Sequence, residues 1–155
     1  MKTIRFLFGT TSVLLACCFI FSSFSKPMGA EGFEIYLNSK LLLRQFGTQM
    51  NDLKSIQLDQ GSVNDELTIK YYHCGQVGKD RSLTIKDQQG KILKEWHFAD
   101  VSAGKAEMIC KVKDIVGLKK SAGAITLSLY YSCNELPKGR QLVSLVVGSQ
   151  NMAKN

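Results

Sequence analysis

The chain has 155 residues, enough for one domain that buries a core without help from metals or many disulfides. Its hydrophobic fraction of 45% is ordinary for a globular protein. The formal net charge is +7, but the lysines are interleaved with acidic residues, and the only adjacent basic pair is Lys119-Lys120. This dispersed charge is typical of a solvated surface of mixed sign, so we expect no nucleic-acid binding.

Residues 1–25 have the order of a secretory signal peptide. A short basic region at 1–5 is followed by an apolar run at 6–21, and Ser23 and Ser25 supply the small residues needed for cleavage before Lys26. A weaker cleavage site follows Ala30. Cleavage before Lys26 removes two of the 20 basic residues and none of the 13 acidic ones, which leaves a net charge of +5. The pattern predicts an exported protein, periplasmic or extracellular.

A rival interpretation of the same segment is a bacterial lipoprotein. Residues 14–17, Leu-Leu-Ala-Cys, resemble a lipobox in which Cys17 would be acylated. The residues after Cys17 are apolar, whereas lipoproteins usually continue there with a polar tether. We therefore favour simple cleavage and keep a lipid anchor at Cys17 in the cell envelope as the alternative. The apolar run is too short and interrupted for a retained span, so the mature form is expected to have none.

Short strand-like segments fill the remainder of the chain. Residues 26–32 form a polar lead-in expected to be flexible, and residues 149–155 are expected to be a disordered tail. Between them, alternating or apolar runs predict strands, and residues 114–118 predict a helical turn that crosses between sheets. The pattern predicts an all-β domain over residues 33–148, an antiparallel β-sandwich of about eight strands; a small closed barrel is the alternative. The strand candidates are 33–37, 41–46, 53–58, 67–74, 82–87, 91–98, 106–112, 125–133 and 141–148.

One motif occurs twice, 59 positions apart. Residues 71–83 and 130–142 share two tyrosines, a cysteine, a lysine, an arginine and a leucine at equal spacings. Each copy lies between two strand-like runs and contains a polar loop with glycine or proline, which is typical of a hairpin. We therefore expect two related hairpins.

Three cysteines follow the signal peptide: Cys74, Cys110 and Cys133. In an oxidising compartment one pair is expected to join, and the repeat favours Cys74–Cys133. Strand alternation argues against this pair, because Cys133 has the parity of the apolar face of its strand and Cys74 does not. Cys110 lies between apolar neighbours of the same parity and is expected to be a free, buried thiol.

Motifs for catalysis or metal binding are absent from the sequence. His73, Cys74 and His97 are soft or imidazole ligands and form the alternative hypothesis, a metal- or redox-handling protein that uses these residues and Cys133. No CxxC, HxH or HExxH spacing supports it. The nucleophile elbow of hydrolases and the phosphate-binding loop are missing too. We expect no enzyme activity, no catalytic residues and no cofactor.

The motif tyrosines are candidates for a binding surface. Because adjacent residues of a strand face opposite ways, one tyrosine of each pair should face outward. Outward tyrosines beside basic residues could form a flat platform for sugar rings or a partner protein, although exposed tyrosines also merely suit strand geometry. The ligand-binding candidates are Tyr72, Lys79, Arg81, Tyr130, Lys138 and Arg140.

With its export signal, the opening at residues 32–38, the Tyr-Tyr-x-Cys-Gly motif and the loop at residues 135–140, the chain resembles uncharacterised small exported proteins of Bacteroidetes-type bacteria. The resemblance implies an envelope location and carries over no functional residues. The sequence thus predicts a non-enzymatic binding or accessory module of the bacterial envelope. Its ligand would be a protein or a glycan.

Overall fold

The computed structural model describes residues 30–102, 106–119 and 123–148, and these form an all-β sandwich of two packed sheets, as predicted. The predicted signal peptide, most of the predicted lead-in and the predicted tail lie outside these ranges. The described residues contain nine strands: β1 (Gly32–Leu37), β2 (Lys40–Phe46), β3 (Ser55–Leu58), β4 (Glu66–Tyr72), β5 (Arg81–Lys86), β6 (Ile92–Phe98), β7 (Met108–Lys111), β8 (Ile125–Cys133) and β9 (Leu136–Val147).

The first sheet has the order β2-β1-β4-β7, and all its pairs are antiparallel. The β1–β2 hairpin turns at Asn38 and Ser39, which have φ angles of +46° and +68°. Asparagine tolerates this left-handed conformation, which two-residue hairpin turns require. The Asn38 side chain also binds the start of β4, because its Oδ1 accepts a hydrogen bond from Glu66 N (2.9 Å). The turn thereby helps to fix the register of β1 against β4.

The second sheet has the order β3-β9-β8-β5-β6. The β8–β9 pair is the hairpin predicted from the second motif copy, and β5 and β6 pair around a turn at Gly90, whose φ is +80°. The prediction of a purely antiparallel fold is wrong at one pair, since β3 runs parallel to β9. A parallel neighbour comes from far along the chain, so local sequence contains no sign of it.

The first motif copy is not a hairpin. Strand β4 belongs to the first sheet and pairs with β1 and β7, whereas β5 belongs to the second and pairs with β6 and β8. The loop between them carries the chain from one sheet to the other. A hairpin and a crossover between sheets give the same strand–loop–strand pattern in the sequence. The pattern shows which face of each strand is buried and not which strand lies beside it. The prediction of two related hairpins is therefore corrected to one hairpin and one crossover.

The core lies between the sheets and is formed by alternate residues of each strand. Its fully buried side chains include Phe33, Ile35, Leu67, Ile69, Leu83, Ile85, Leu129 and Tyr131. A short helix, α1 (Val112–Val116), follows β7 and places Val112, Ile115 and Val116 in the same core. It leads from the first sheet to the second, as predicted for the helical turn. In the described ranges we find no helix with the length and apolar character needed to cross a membrane.

Candidate functional site

The outer face of the first sheet carries three aromatic rings among charged side chains. Strand alternation places Phe33, Ile35 and their counterparts in β4 in the core, so the residues between them face outward. We call this surface the aromatic face. It consists of Glu34, Tyr36, Arg44, Phe46, Lys70 and Tyr72.

Glu34 lies at the centre of the aromatic face and is only 7% exposed. Its carboxylate accepts hydrogen bonds from the hydroxyls of Tyr36 (2.7 Å) and Tyr72 (3.0 Å), and Arg44 Nε lies 2.6 Å from its other oxygen. Burial alone would raise the pKa of Glu34, but the two tyrosine hydrogen bonds and the Arg44 charge outweigh it and lower the pKa. The carboxylate therefore stays ionised and holds three side chains in fixed positions.

A glycine makes room for one of the rings. The ring of Phe46 crosses above Gly32 of the neighbouring strand, where any Cβ would collide with it. From there it stacks on Tyr72 of the next strand, with ring centroids 5.7 Å apart and an interplanar angle of 28°. The two rings thus span three strands and form a continuous apolar strip beside the Glu34 cluster.

Lys70 completes the aromatic face on the β7 side. Its Nζ lies 5.2 Å from the centre of the Tyr36 ring and 2.8 Å from a carboxylate oxygen of Glu107. The hydrogen bond to Glu107 raises the pKa of Lys70, so the amine is charged at neutral pH. Tyr36, Lys70 and Glu107 line a shallow depression of about 210 Å³ together with Ser39 and Thr68.

A second polar group lies between the two sheets, at one end of the sandwich. We call it the end cluster. It consists of Glu31, Tyr71, His73, Tyr131, Cys133 and Arg140. Its residues come from the segment before β1, from β4, from the β4–β5 loop and from the β8–β9 hairpin, so only the folded sandwich brings them together.

His73 is the meeting point of the end cluster. Its Nε2 lies 3.0 Å from the Tyr131 hydroxyl oxygen and 3.2 Å from Cys133 Sγ. Tyr71 and Tyr131 stack with centroids 4.1 Å apart, and the Tyr71 hydroxyl donates to Glu31 (2.5 Å). Burial raises the pKa of both tyrosines, so their hydroxyls are neutral donors.

Burial also keeps the cysteine and the histidine of the end cluster uncharged. It lowers the pKa of His73 and raises the pKa of the Cys133 thiol. Cysteine nucleophiles require the opposite, a depressed thiol pKa beside a cationic partner. The pair is therefore a neutral imidazole and a neutral thiol at pH 7.

The β4–β5 loop closes over the end cluster. A Cβ on Gly78 would lie 2.5 Å from the Tyr131 hydroxyl oxygen and 2.9 Å from Cys133 Sγ, so the backbone here packs directly on both groups. The loop is held by Lys79, whose backbone N donates to a Glu135 carboxylate oxygen (3.0 Å) and whose carbonyl accepts from Asn134 N (2.9 Å). Cys133 is consequently 5% exposed.

The six predicted ligand-binding residues are distributed over several surfaces. Tyr72 belongs to the aromatic face. Tyr130 lies on the outer face of the second sheet, where its hydroxyl donates to Gln141 and Lys86 Nζ lies 4.3 Å from its ring centre. Lys79 is exposed on the β4–β5 loop, and Lys138 is exposed near the start of β9. Tyr72 and Tyr130 thus point away from opposite sides of the sandwich and cannot form one platform.

The two predicted arginines make contacts within the fold, Arg81 as a buried side chain and Arg140 as a partly buried one. Arg81 is buried and donates to the carbonyls of Ala106 and Ala99, both at 2.8 Å. Arg140 lies beside Glu31 at 3.5 Å. Arg81 thus fastens the chain between β6 and β7 to the start of β5, and Arg140 belongs to the end cluster.

The predicted Cys74–Cys133 disulfide is wrong for this structure. Cys74 is exposed in the turn after β4, where its φ is +48°, whereas Cys133 is buried against His73, and both thiols are free. Cys74 is exposed beyond the end of β4, whereas Cys133 lies on the inward face of β8, so the two thiols do not meet. Cys110 is free and buried, as predicted, and burial raises its pKa to about 12.

The alternative metal ligands His73, Cys74 and His97 are not gathered into one site. Among the described residues no three histidine, cysteine or acidic side chains converge as a metal site would require. His97 lies on β6 with its Nε2 3.6 Å from Glu95. The contact that does form, between His73 and Cys133, joins residues 60 positions apart.

Five residues of the aromatic face did not figure among the sequence candidates. Glu34 and Tyr36 could have been found, because alternation in β1 places them together on the face opposite Phe33 and Ile35. Arg44 and Phe46 required the β1–β2 register, and Lys70 required the β1–β4 register, which only the pairing supplies.

The chain matches no protein-family model, no curated protein and no solved structure in the three comparisons made. The resemblance to exported Bacteroidetes-type proteins therefore stays a prediction, and what the protein does must be inferred from its own surfaces.

Proposed function

We propose that the protein is an exported, non-enzymatic binding module of the cell envelope, and that the aromatic face binds a glycan. The observation that carries the proposal is the buried Glu34 carboxylate, which fixes Tyr36, Tyr72 and Arg44 around itself on an outer sheet face. A core needs no such arrangement, because Phe33 and Ile35 already pack the inner side of β1. Side chains fixed before binding lose less entropy when a ligand arrives, which favours a binding role.

The composition of the aromatic face favours a glycan over a protein partner. Protein interfaces are depleted of charge at their centre, whereas an ionised carboxylate and Arg44 occupy the centre here. Sugar rings present C–H groups on their faces and hydroxyls at their edges. The former suit the electron-rich faces of Tyr36, Phe46 and Tyr72, and the latter suit the Arg44 guanidinium and the Lys70 amine, which lie beside these rings.

The shape of the surface is consistent with recognition of a chain rather than of a small molecule. The depression beside Tyr36 and Lys70 has a volume of about 210 Å³, below the ~300–1,000 Å³ usual for small-molecule sites. The strip formed by Phe46 and Tyr72 continues from the Glu34 cluster across three strands. An extended oligosaccharide could contact both, and no deep cleft would be needed.

The test is affinity electrophoresis of the protein in gels containing neutral polysaccharides (a β-glucan and a mannan) or acidic ones (alginate and hyaluronan). We expect retardation by at least one of them. Tyr72→Ala should weaken binding about five-fold, since a stacked aromatic contributes about 1 kcal/mol. Tyr72→Phe should weaken it less, because the ring stays and only the hydrogen bond to Glu34 is lost.

Tyr130→Ala is the matched control, since it removes a tyrosine from the outer face of the other sheet. It should bind as the unsubstituted protein does. Equal losses in the Tyr72→Ala and Tyr130→Ala variants, or none in Tyr72→Ala, would reject the aromatic face as the binding surface. Failure to bind any polysaccharide of the panel would count against the glycan.

A further inference from the structure

We infer, on the basis of the proposed function, that the aromatic face binds an uncharged polysaccharide and discriminates against acidic ones. The feature behind this selectivity is a balance of charge on the outer side of the first sheet. The whole chain has a formal net charge of +7, yet the outward-facing charged side chains of this sheet cancel. They are the acidic Glu34, Glu66 and Glu107 and the basic Arg44, Lys70 and Lys111, three of each sign. Lys40 lies opposite Leu37 in the β1–β2 register and so belongs to the other side of the sheet.

Every one of these charges lies beside a charge of opposite sign. Arg44 Nε is 2.6 Å from a Glu34 carboxylate oxygen, and Lys70 Nζ is 2.8 Å from one of Glu107. The remaining acid and base, on β4 and β7, are directly opposite each other in the strand register. Among the described residues of this surface, a ligand therefore meets no cation that lacks an adjacent anion.

The exposed members of the two ion pairs differ in sign. The Arg44 side chain is 56% exposed, whereas its partner Glu34 is buried. In the other pair the acid is the more exposed member, since the Glu107 side chain is 49% exposed and that of Lys70 only 31%. A ligand thus meets a hydrogen-bond donor on the β2 side of the aromatic face and an acceptor on the β7 side.

This arrangement suits hydroxyl groups better than anionic groups. A hydroxyl both donates and accepts, so neighbouring sugar hydroxyls can bond to Arg44 and to Glu107. A carboxylate or sulfate only accepts, so it would compete with Glu34 for Arg44 and would be repelled by Glu107. An anion would also lose hydration on binding without gaining a cation that is free to pair with it, which is unfavourable.

The rings of the aromatic face favour the same ligand. The faces of aromatic rings carry partial negative charge, so they attract the C–H groups of sugars and repel anions. Phe46 lies opposite Gly32, and Tyr36 lies four residues further along β1, about 14 Å away at ~3.4 Å per residue. A polysaccharide that stacks on both ends passes over the paired charges between them, and this path favours uncharged sugar units.

The experiment is affinity electrophoresis of the full chain and of Tyr72→Ala with the β-glucan, mannan, alginate and hyaluronan gels, in a series of NaCl concentrations. The part of the retardation that Tyr72→Ala loses is binding at the aromatic face. The part that it keeps includes the general attraction of a basic protein to acidic polymers.

We expect Tyr72-dependent retardation by the β-glucan or the mannan. Its strength should change less than about two-fold between about 0.1 M and about 1 M NaCl, although the screening length falls from about 10 Å to about 3 Å. Retardation by alginate and hyaluronan should decline over this range and should not depend on Tyr72.

Removing one anion should alter the selectivity. Glu107→Gln leaves Lys70 without its partner, so it should increase the Tyr72-dependent binding of alginate about two- to five-fold, the range that one exposed ion pair supplies. Glu95→Gln is the matched control, because it changes the net charge equally but lies on β6 of the second sheet. It should leave the Tyr72-dependent binding of alginate unchanged.

The possible outcomes separate this inference from the proposed function. Tyr72-dependent binding that is tighter for alginate or hyaluronan than for the neutral polymers would overturn the inference and leave the aromatic face as a glycan site. An equal gain in Glu107→Gln and Glu95→Gln would also overturn it, since net charge and not the face would then set the selectivity. Binding to none of the four polymers would overturn both. The salt series needs only the unsubstituted protein and Tyr72→Ala, so it decides even if Glu107→Gln does not fold.

Discussion

Replacing Gly78 with alanine should destabilise the fold by about 2 kcal/mol. The added Cβ would lie 2.5 Å from the Tyr131 hydroxyl oxygen, 2.9 Å from Cys133 Sγ and 3.0 Å from Cys133 Cβ. Real Cβ atoms do not approach neighbours so closely, so either the loop or the side chains must move. Tyr131 is fully buried and stacked on Tyr71, so it has no free direction in which to move. Overpacking of this kind costs about 1–3 kcal/mol.

The cost should be visible in two independent assays. Urea unfolding should show a lower midpoint with an unchanged slope, and the melting temperature should fall by roughly 6–10 °C for a domain of this size. Because relief of the clash lifts the loop from Cys133, peptide-resolved alkylation should show faster modification of Cys133 in the folded protein. The Cys110 peptide should show no change.

Gly75 supplies the control in the same loop. Its φ is +87°, and no described atom would lie within 4 Å of an added Cβ. Gly75→Ala should therefore cost about 1 kcal/mol through backbone strain alone and leave the alkylation of Cys133 unchanged. If Gly78→Ala costs less than about 0.5 kcal/mol and Cys133 reacts no faster, the loop yields freely and the end cluster is not closed by close packing.

Two further predictions concern pH. The pKa of Glu34 is lowered in the folded state, so the contribution of Glu34 to stability is fully present above the ordinary value of 4.5 and is lost as pH falls through the folded pKa. Glu34→Gln should therefore flatten the fall in urea midpoint between pH 6 and pH 3. An unchanged fall would exclude Glu34 as its source. His73 also has a lowered folded pKa, so the unfolded state binds its proton first and stability should decline as pH falls from about its ordinary value of 6.5 toward the folded pKa. His73→Gln should abolish that decline between pH 7.5 and pH 5, whereas His97→Gln should retain it. The same dependence of stability on pH in both variants would contradict the assignment of the decline to His73.

Much of the fold follows from period-two alternation. Every predicted strand candidate between residues 33 and 148 overlaps an observed strand, because one face of each must be apolar to form the core. Tight turns depend on residue type instead, since Asn38-Ser39 and Gly90 have the left-handed φ angles that such turns need. What alternation cannot supply is the identity of a strand's neighbour. Alternation therefore predicts β4 and β5 as one hairpin and contains no sign of the parallel β3–β9 pair.

In the candidate sites, too, alternation predicts which way a side chain faces but not which residue it meets. His73 and Cys74 are neighbours in the motif and face opposite ways, so the motif alone predicts no thiol–imidazole pair. Parity alone already placed His73 with Tyr71, and Cys133 with Tyr131, on inward faces. Only the packing of the two sheets shows that these inward faces meet, and it brings Cys133 Sγ to 3.2 Å from His73 Nε2. Residues on opposite sheets have no sequence spacing that could reveal such a contact.

The two copies of the repeated motif belong to different sheets, so the motif has a role other than that of a repeated hairpin. Its two copies end strands of different sheets. Tyr72 of the first copy and Tyr130 of the second face outward, whereas Tyr71 and Tyr131 stack between the sheets. The shared pattern therefore marks the place where the sandwich is closed at one end, with Gly78 of the first copy packed on Tyr131 and Cys133 of the second. Closure at this end requires one residue without a side chain and two stacked rings, and it leaves an imidazole and a thiol in contact. The aromatic face is independent of this closure, so Gly78→Ala should leave the polysaccharide binding of the folded protein intact.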